Sequence, residues 1–148
     1  MKAFKDLPEN LRTEEVSAMA SVSSAVPRVR EKLLDLQRKL ARTMSVVMDG
    51  RDIGTTILPD ADVKIYLTAS SLTRARRRYL EYQEKGEPCD LAEIQKTIEE
   101  RDQRDMTREI SPLCQAEDAV LVDSSELTID ETVEKILSVY HSKVSEKE

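Results

Sequence analysis

The sequence is poor in glycine and in aromatic residues. It has three glycines, Gly50, Gly54 and Gly86, among 148 residues. A phosphate-binding loop of the G-x-x-x-x-G-K-[ST] type needs two glycines at a fixed spacing before a lysine, so these 148 residues contain no such loop. Tryptophan is absent and aromatic residues make up 3% of the chain. The core must therefore be built from aliphatic side chains.

Other features that the sequence lacks bear on the binding partners and the location of the protein. The net charge of −6 argues against a nonspecific nucleic-acid binder, which is usually basic. The two cysteines, Cys89 and Cys114, lack the spacing of a metal site, and we expect them to be reduced thiols. The sequence shows neither a signal peptide nor an apolar run of membrane-spanning length. These features predict a cytoplasmic protein that binds no membrane and no nucleic acid.

Short apolar runs alternate with amphipathic segments along the chain. The runs at 45–48, 63–67 and 119–122 are typical of buried parallel strands. Between and around them the pattern predicts five helices, which begin near Thr13, Pro27, Ser70, Asp90 and Thr128. The sequence therefore predicts an α/β fold with about three parallel strands, in a single domain over residues 1–148.

Charged residues follow the first predicted strand at once, as Asp49-Gly50-Arg51-Asp52. An acid at the carboxyl end of a buried strand is where open α/β sheets bind their ligands. Arginine suits phosphate because its planar fork bonds two oxygens together. We therefore expect a phosphate and metal site at this corner.

The long fourth helix changes character along one face. Leu91, Ile94 and Ile98 form an apolar stripe, and the same spacing continues to an ionic set, Arg101, Asp105 and Arg108. Either the ionic part enters a cleft, or it is a solvated face with an Arg101–Asp105 ion pair.

The third helix carries a cluster of four arginines, at positions 74, 76, 77 and 78. The four positive charges would repel one another, and a bound polyanion would relieve that repulsion. The alternative is a solvated face on which Arg77 pairs with Glu81.

Taken together, these residues resemble bacterial cytidylate kinases. The motifs that carry the resemblance are MDGRDIGT at 48–55 and ERDQRDMTR at 100–108, and together they are specific to that family among its relatives. The likeness extends over 11–40, 59–67, 74–78, 83–86 and 121–124. It implies a three-layer P-loop nucleoside monophosphate kinase-like fold, and the transfer of a phosphoryl group from ATP to CMP or dCMP with Mg²⁺. It also implies four regions within the domain. Residues 1–44 would hold the remainder of the CMP-binding region and a core helix, 45–70 the core strands, 71–110 the lid, and 111–148 a core strand and the last helix.

The resemblance assigns a role to each candidate residue. Asp49 would hold magnesium through water, and Arg51 and Arg108 would act catalytically on the phosphates. Arg74, Arg77 and Arg78 would face the ATP phosphates from the lid. The residues that would bind CMP are Ser21, Arg30, Arg51, Asp52, Arg101, Asp105 and Arg108.

The resemblance is to the carboxyl-terminal two-thirds of these kinases, without the region of the glycine-rich loop. Two interpretations stay open: a kinase that has little activity as this chain alone, and a non-catalytic remnant that binds a pyrimidine nucleotide or a partner chain. An RNA-binding module is disfavoured by the acidic charge and the scarce aromatics. The family's strand order implies a missing strand between 45–48 and 63–67, so we expect an exposed sheet edge and self-association through it.

Overall fold

The computed structural model describes residues 13–24 and 26–145, apart from the side chains of residues 14, 17, 18, 21 and 24. The chain divides into two compact units with the boundary between Val47 and Met48. The single domain and the three-layer fold stay predictions, whereas the described elements are those of an α/β protein with a small parallel sheet.

The described residues of the first unit form two helices, α1 (Glu14–Ser24) and α2 (Pro27–Thr43). Both predicted starts are confirmed: Thr13 Oγ1 accepts from the Val16 amide at 3.3 Å, and Pro27 occupies the first turn of α2. The apolar stripe of α2 is solvent-exposed in the structure, although its spacing is that of a buried face. Its members are 39–54% exposed and are Val29, Leu33, Leu36 and Leu40.

The strand predicted at 45–48 is wrong. The segment has no regular secondary structure, and Val47 is fully exposed. A β-strand is stabilised by hydrogen bonds to a neighbouring strand, and no described residue pairs with this segment. An apolar run alone cannot supply that partner.

The second unit is built on two parallel strands, β1 (Ile65–Thr68) and β2 (Val120–Asp123), in register from Ile65 opposite Val120 to Thr68 opposite Asp123. The predicted sheet of about three strands is thus a sheet of two among the described residues. Both strands lie one or two residues later than predicted. Val122, on β2, is the one large side chain of the described residues that is fully buried.

Three helices complete this unit: α3 (Ser71–Glu84), α4 (Leu91–Thr107) and α5 (Ile129–Ser145). Their predicted N-caps are confirmed, because Ser70 accepts from the Thr73 amide and Asp90 from the Glu93 amide. At α5 the cap is reciprocal, since Thr128 and Glu131 exchange hydrogen bonds.

The α3 and α4 helices pack against each other. The turn between them contains Gly86, whose φ of +70° lies in the left-handed region that glycine enters without strain.

Candidate functional site

An open cleft of about 480 Å³ lies in the second unit, along β1. Its lining includes Asp49 and Arg51 from the segment before the sheet, Arg74 from α3, and Asp102 and Asp105 from α4. Three separate parts of the chain thus place charged groups in one depression.

The segment after Asp49 is shaped by a wide helical turn over Ile53–Ile57. The turn is closed by the Leu58 amide, which donates to the Ile53 carbonyl at 2.7 Å. The amides of Thr56 and Ile57 both donate to the carbonyl of Asp52. Asp52 is buried, with 7% of its surface exposed, and it lies outside the cleft lining.

Lys64 fixes this turn from the side. Its ammonium group donates to the Pro59 carbonyl and to Asp118 Oδ1 at 2.8 Å. Its stem lies against Gly54, where an added Cβ would be 3.3 Å from Lys64 Cδ. The Lys64 contacts hold the pKa of the Asp118 carboxyl below its usual value. This anchor is structural, and the sequence pattern did not reveal it.

Asp105 is the centre of an ionic cluster. Arg51 Nε donates to its Oδ2 at 3.3 Å, Arg108 Nη1 lies 3.8 Å from its Oδ1, and Arg101 Nε lies 4.0 Å from its Oδ2. The Arg101–Asp105 ion pair, which belongs to the solvated-face alternative, is present. Of the ionic stripe of α4, Asp105 lines the cleft whereas Arg101 and Arg108 do not. One carboxylate faces three guanidinium groups, so the cluster has an excess of positive charge.

Arg108 is held by a second contact. Its Nε donates to the Ser111 carbonyl at 2.7 Å, and Ser111 has a φ of +50°, which is uncommon for a residue with a Cβ. The turn after α4 therefore folds back onto Arg108. Arg101 and Arg108 are half-buried and lie outside the cleft lining.

Arg74 makes a bidentate ion pair with Asp102. Its Nη1 and Nη2 atoms both donate to the Asp102 carboxylate, the first at 2.9 Å, and its Nε donates to the Ala69 carbonyl at 3.0 Å. The hydrogen bonds to Asp102 raise the pKa of Arg74. Sequence reasoning missed Asp102, although it lies one helical turn before Asp105 and therefore on the same face of α4.

The other two predicted lid arginines differ from each other. Arg77 lines the cleft and donates to the carbonyls of Ser124 at 2.6 Å and Leu127 at 3.2 Å. Arg78 lies outside the lining, where its Nε donates to the Tyr82 hydroxyl at 2.9 Å and its guanidinium lies over that ring.

Two predicted residues belong to the first unit. The side chain of Ser21 lies outside the described residues. Arg30 is half-buried in the first turn of α2, where its amide donates to the Val26 carbonyl. The roles of both stay predictions.

Asp49 is exposed at the edge of the cleft. In the described part of the chain no three His, Cys, Asp or Glu side chains come together as a metal site. A single exposed carboxylate nevertheless fits Mg²⁺, which keeps several waters and often binds through one or two carboxylates together with substrate phosphates.

No helix in the described ranges is long and apolar enough to cross a membrane.

Comparison with known proteins places the chain in a family. The profile of the cytidylate kinase family matches residues 2–142, so the chain belongs to that family. It is 52% identical over 139 residues to a cytidylate kinase of Desulfitobacterium hafniense, covering 94% of this chain and 60% of that protein. The same shares are covered in a cytidylate kinase of Lactobacillus johnsonii, at 51% identity. A cytidylate kinase of Caldicellulosiruptor saccharolyticus is 47% identical over 95% of this chain and 62% of its own length.

The chain therefore spans about three fifths of the length of these relatives.

Proposed function

We propose that this chain carries the nucleoside monophosphate site and the arginine lid of a kinase that transfers a phosphoryl group from ATP to CMP or dCMP. The observation that carries the proposal is the cluster in which Asp105 faces Arg51, Arg101 and Arg108. It supports the proposal because guanidinium groups bind phosphate oxygens, and the two arginines nearest Asp105 come from different elements.

The excess charge of this cluster suits a nucleotide phosphate. Phosphoryl transfer depends largely on positioning the reactants and on neutralising the charge of the transferring group. Arg51 and Arg108 would bind the phosphate of CMP, with Arg101 beside them. Asp105 would accept from a ribose hydroxyl while it keeps these side chains ordered.

The base would be recognised by acceptors and donors outside this cluster. Asp52 can accept from the exocyclic amine of cytosine, a pairing that carboxylates make with that base. UMP presents a carbonyl where CMP presents this amine.

The donor phosphates would meet the lid arginines, Arg74, Arg77 and Arg78. Asp49 would hold Mg²⁺ through water, and the ion would supply charge neutralisation at the phosphates.

A second candidate function is a non-catalytic binder of pyrimidine nucleotides or of a partner chain. This second candidate concerns these 148 residues by themselves, which contain no G-x-x-x-x-G-K-[ST] loop. That loop supplies the backbone donors and the lysine that hold the donor phosphates. Both candidates share the acceptor site, and turnover of about 1–100 s⁻¹, which is typical of kinases, would exclude the second.

Calorimetric titration of the chain with CMP tests the shared acceptor site. We expect saturable binding, and we expect Arg108→Ala to weaken it about tenfold or more, since a hydrogen bond to a charged group contributes about 1.5–3 kcal/mol. Arg104→Ala is the matched control, because Arg104 is an exposed arginine in the last turn of α4. Absence of CMP binding, or equal effects of the two substitutions, would contradict the proposal.

A further inference from the structure

The α4 helix presents two carboxylates to the cleft, and the proposed function uses only one of them. Asp102 and Asp105 are three residues apart, so both lie on one face of the helix, and both line the cleft. Asp105 pairs with Arg51, and Asp102 pairs with Arg74.

Arg74 is held on two sides and keeps part of its hydrogen-bonding capacity. A guanidinium group has five N–H donors in one plane. Those used here are Nε–H, toward the Ala69 carbonyl, and one N–H on each Nη, toward Asp102. Each Nη therefore keeps one further N–H. Since Arg74 lines the cleft, these donors can serve an anion there.

A second network fixes the helix that carries Arg74. Ser71 Oγ donates to Glu99 Oε1 at 2.7 Å, and Gln95 Nε2 donates to the same oxygen at 2.8 Å. These bonds tie the first turn of α3 to α4 one turn before Asp102. They hold the pKa of the Glu99 carboxyl below its usual value.

We propose that Asp102 is a positioning residue, which holds the Arg74 guanidinium at the cleft in the orientation that binds a polyphosphate. The inference rests on the proposed function, in which Arg74 meets the phosphates of the nucleotide donor. A long arginine side chain loses conformational freedom when it binds a ligand. An arginine that is already ordered loses less, and its affinity for the anion is higher.

Electrostatic repulsion alone predicts the opposite effect of removing Asp102, so the direction of the change in affinity distinguishes the two explanations. A carboxylate near an anion site repels the anion, so on charge alone the removal of Asp102 would tighten binding. Positioning predicts weaker binding after the same substitution.

Titration calorimetry with inorganic tripolyphosphate measures the effect without a base or a sugar. We expect Asp102→Ala to weaken binding about threefold to tenfold, the cost of ordering one long side chain. Asp102→Asn keeps the side-chain shape and one acceptor oxygen, so it should weaken binding less. Glu100→Ala is the matched control, since Glu100 is an exposed carboxylate on the same helix and its removal changes the net charge equally. Binding to this control should not weaken.

A double-mutant cycle ties the effect to Arg74. Arg74→Ala should weaken binding, and Asp102→Ala should add nothing in that background. Circular dichroism establishes that each variant is folded, and Asp102→Asn replaces Asp102→Ala if the latter does not fold.

The failures of the two proposals are distinguishable. If Arg74→Ala weakens binding while Asp102→Ala and Asp102→Asn leave it equal or tighter, the positioning role is wrong and the proposed function stands. If Asp102→Ala weakens binding as much in the Arg74→Ala background as in the wild type, the positioning role is also wrong. If the wild-type chain does not bind tripolyphosphate, the donor site of the proposed function fails and this inference fails with it. CMP binding would then report separately on the acceptor site.

Discussion

Arg51 Nε donates a hydrogen bond to Asp105 Oδ2 across 3.3 Å, although the two residues are 54 positions apart in the sequence. Arg51 lies in the segment before β1, and Asp105 lies near the end of α4. The contact joins the two motifs that carry the family resemblance, MDGRDIGT and ERDQRDMTR.

The Asp105 carboxylate is only 15% exposed, whereas Arg51 is 44% exposed. Partial burial lowers the screening of the Asp105 charge by solvent, so Asp105 can order several arginines together. The exposed side of Arg51 is left for a ligand.

Replacement of Asp105 should disorder this cluster. In Asp105→Ala the guanidinium groups of Arg51, Arg101 and Arg108 lose their shared partner, and their mutual repulsion is unrelieved. We expect CMP binding to weaken about tenfold or more, because the chain also loses the carboxylate that would accept from a ribose hydroxyl, and a hydrogen bond to a charged group contributes about 1.5–3 kcal/mol. Calorimetry measures the affinity. Glu109→Ala removes an exposed acid just beyond the same helix and should bind CMP as the wild type does; an Asp105→Ala chain that does likewise would refute the role.

Asp52 should set the preference for cytosine over uracil. Uracil presents a carbonyl where cytosine presents an amine, and a carbonyl would face the Asp52 carboxylate acceptor to acceptor. Each good base contact discriminates by about 1–3 kcal/mol, so CMP should bind more tightly than UMP, and Asp52→Asn should narrow the gap. Calorimetry with both nucleotides tests this, with Asp60→Asn in an exposed turn as the control. Equal affinities of the wild-type chain for CMP and UMP would contradict the assignment.

The 148-residue chain by itself should turn over little or no CMP. Loss of one preorganised donor costs a factor of about 10²–10³ in rate, and a glycine-rich loop contributes several such donors. A coupled assay with ATP, Mg²⁺ and CMP measures the rate. Turnover of about 1–100 s⁻¹, which is typical of kinases, would show that the chain needs no such loop.

Acid should weaken the folded state through Glu131. The amide and the hydroxyl of Thr128 both donate to Glu131 Oε2 at 2.8 Å, and these bonds lower the pKa of Glu131, the backbone bond most. Because the folded pKa is below the unfolded one, the stabilisation is complete above about pH 4.3 and is lost as the pH falls through the folded pKa.

The measurement for Glu131 is the free energy of unfolding in denaturant between about pH 7 and about pH 3. Wild type should lose more stability over this range than Glu131→Gln, and the two curves should converge in acid. Glu134→Gln, an exposed position on the same helix, should keep the wild-type slope. Parallel curves for wild type and Glu131→Gln would rule out the contribution of this cap.

The isolated chain should be marginally stable, or should pair an exposed sheet edge with a second chain. Within the described ranges Val122 is the one large side chain that is fully buried, while Leu67 and Leu121 on the two strands are each more than half exposed. Unpaired strand edges are sites for association. Analytical ultracentrifugation and thermal unfolding test this expectation together. A monomer that unfolds cooperatively at about 45–65 °C, the usual range for mesophilic domains, would contradict it.

The helices were predictable because their signals are local. Thr13, Ser70, Asp90 and Thr128 each cap the helix that their pattern predicted, since a cap involves only the next few residues. A cap at the amino end does not determine how far a helix continues, and α5 extends to Ser145. The spacing along α4 also predicted that its apolar face becomes ionic.

The tertiary structure alone decided which charges of separate elements meet. Nothing local in the sequence pairs Arg74 with Asp102 or Arg51 with Asp105, because each pair joins separate elements whose approach depends on the packing of α3, α4 and the sheet.

The segment 45–48 is the converse case, in which a local pattern predicted an element that the structure does not form. Its apolar residues have the composition of a buried strand, but a strand also requires a neighbour for its backbone hydrogen bonds, and the described residues provide none. The sequence thus determined the helices and the kinds of charge available, while long-range packing determined the sheet and the ion pairs that shape the cleft.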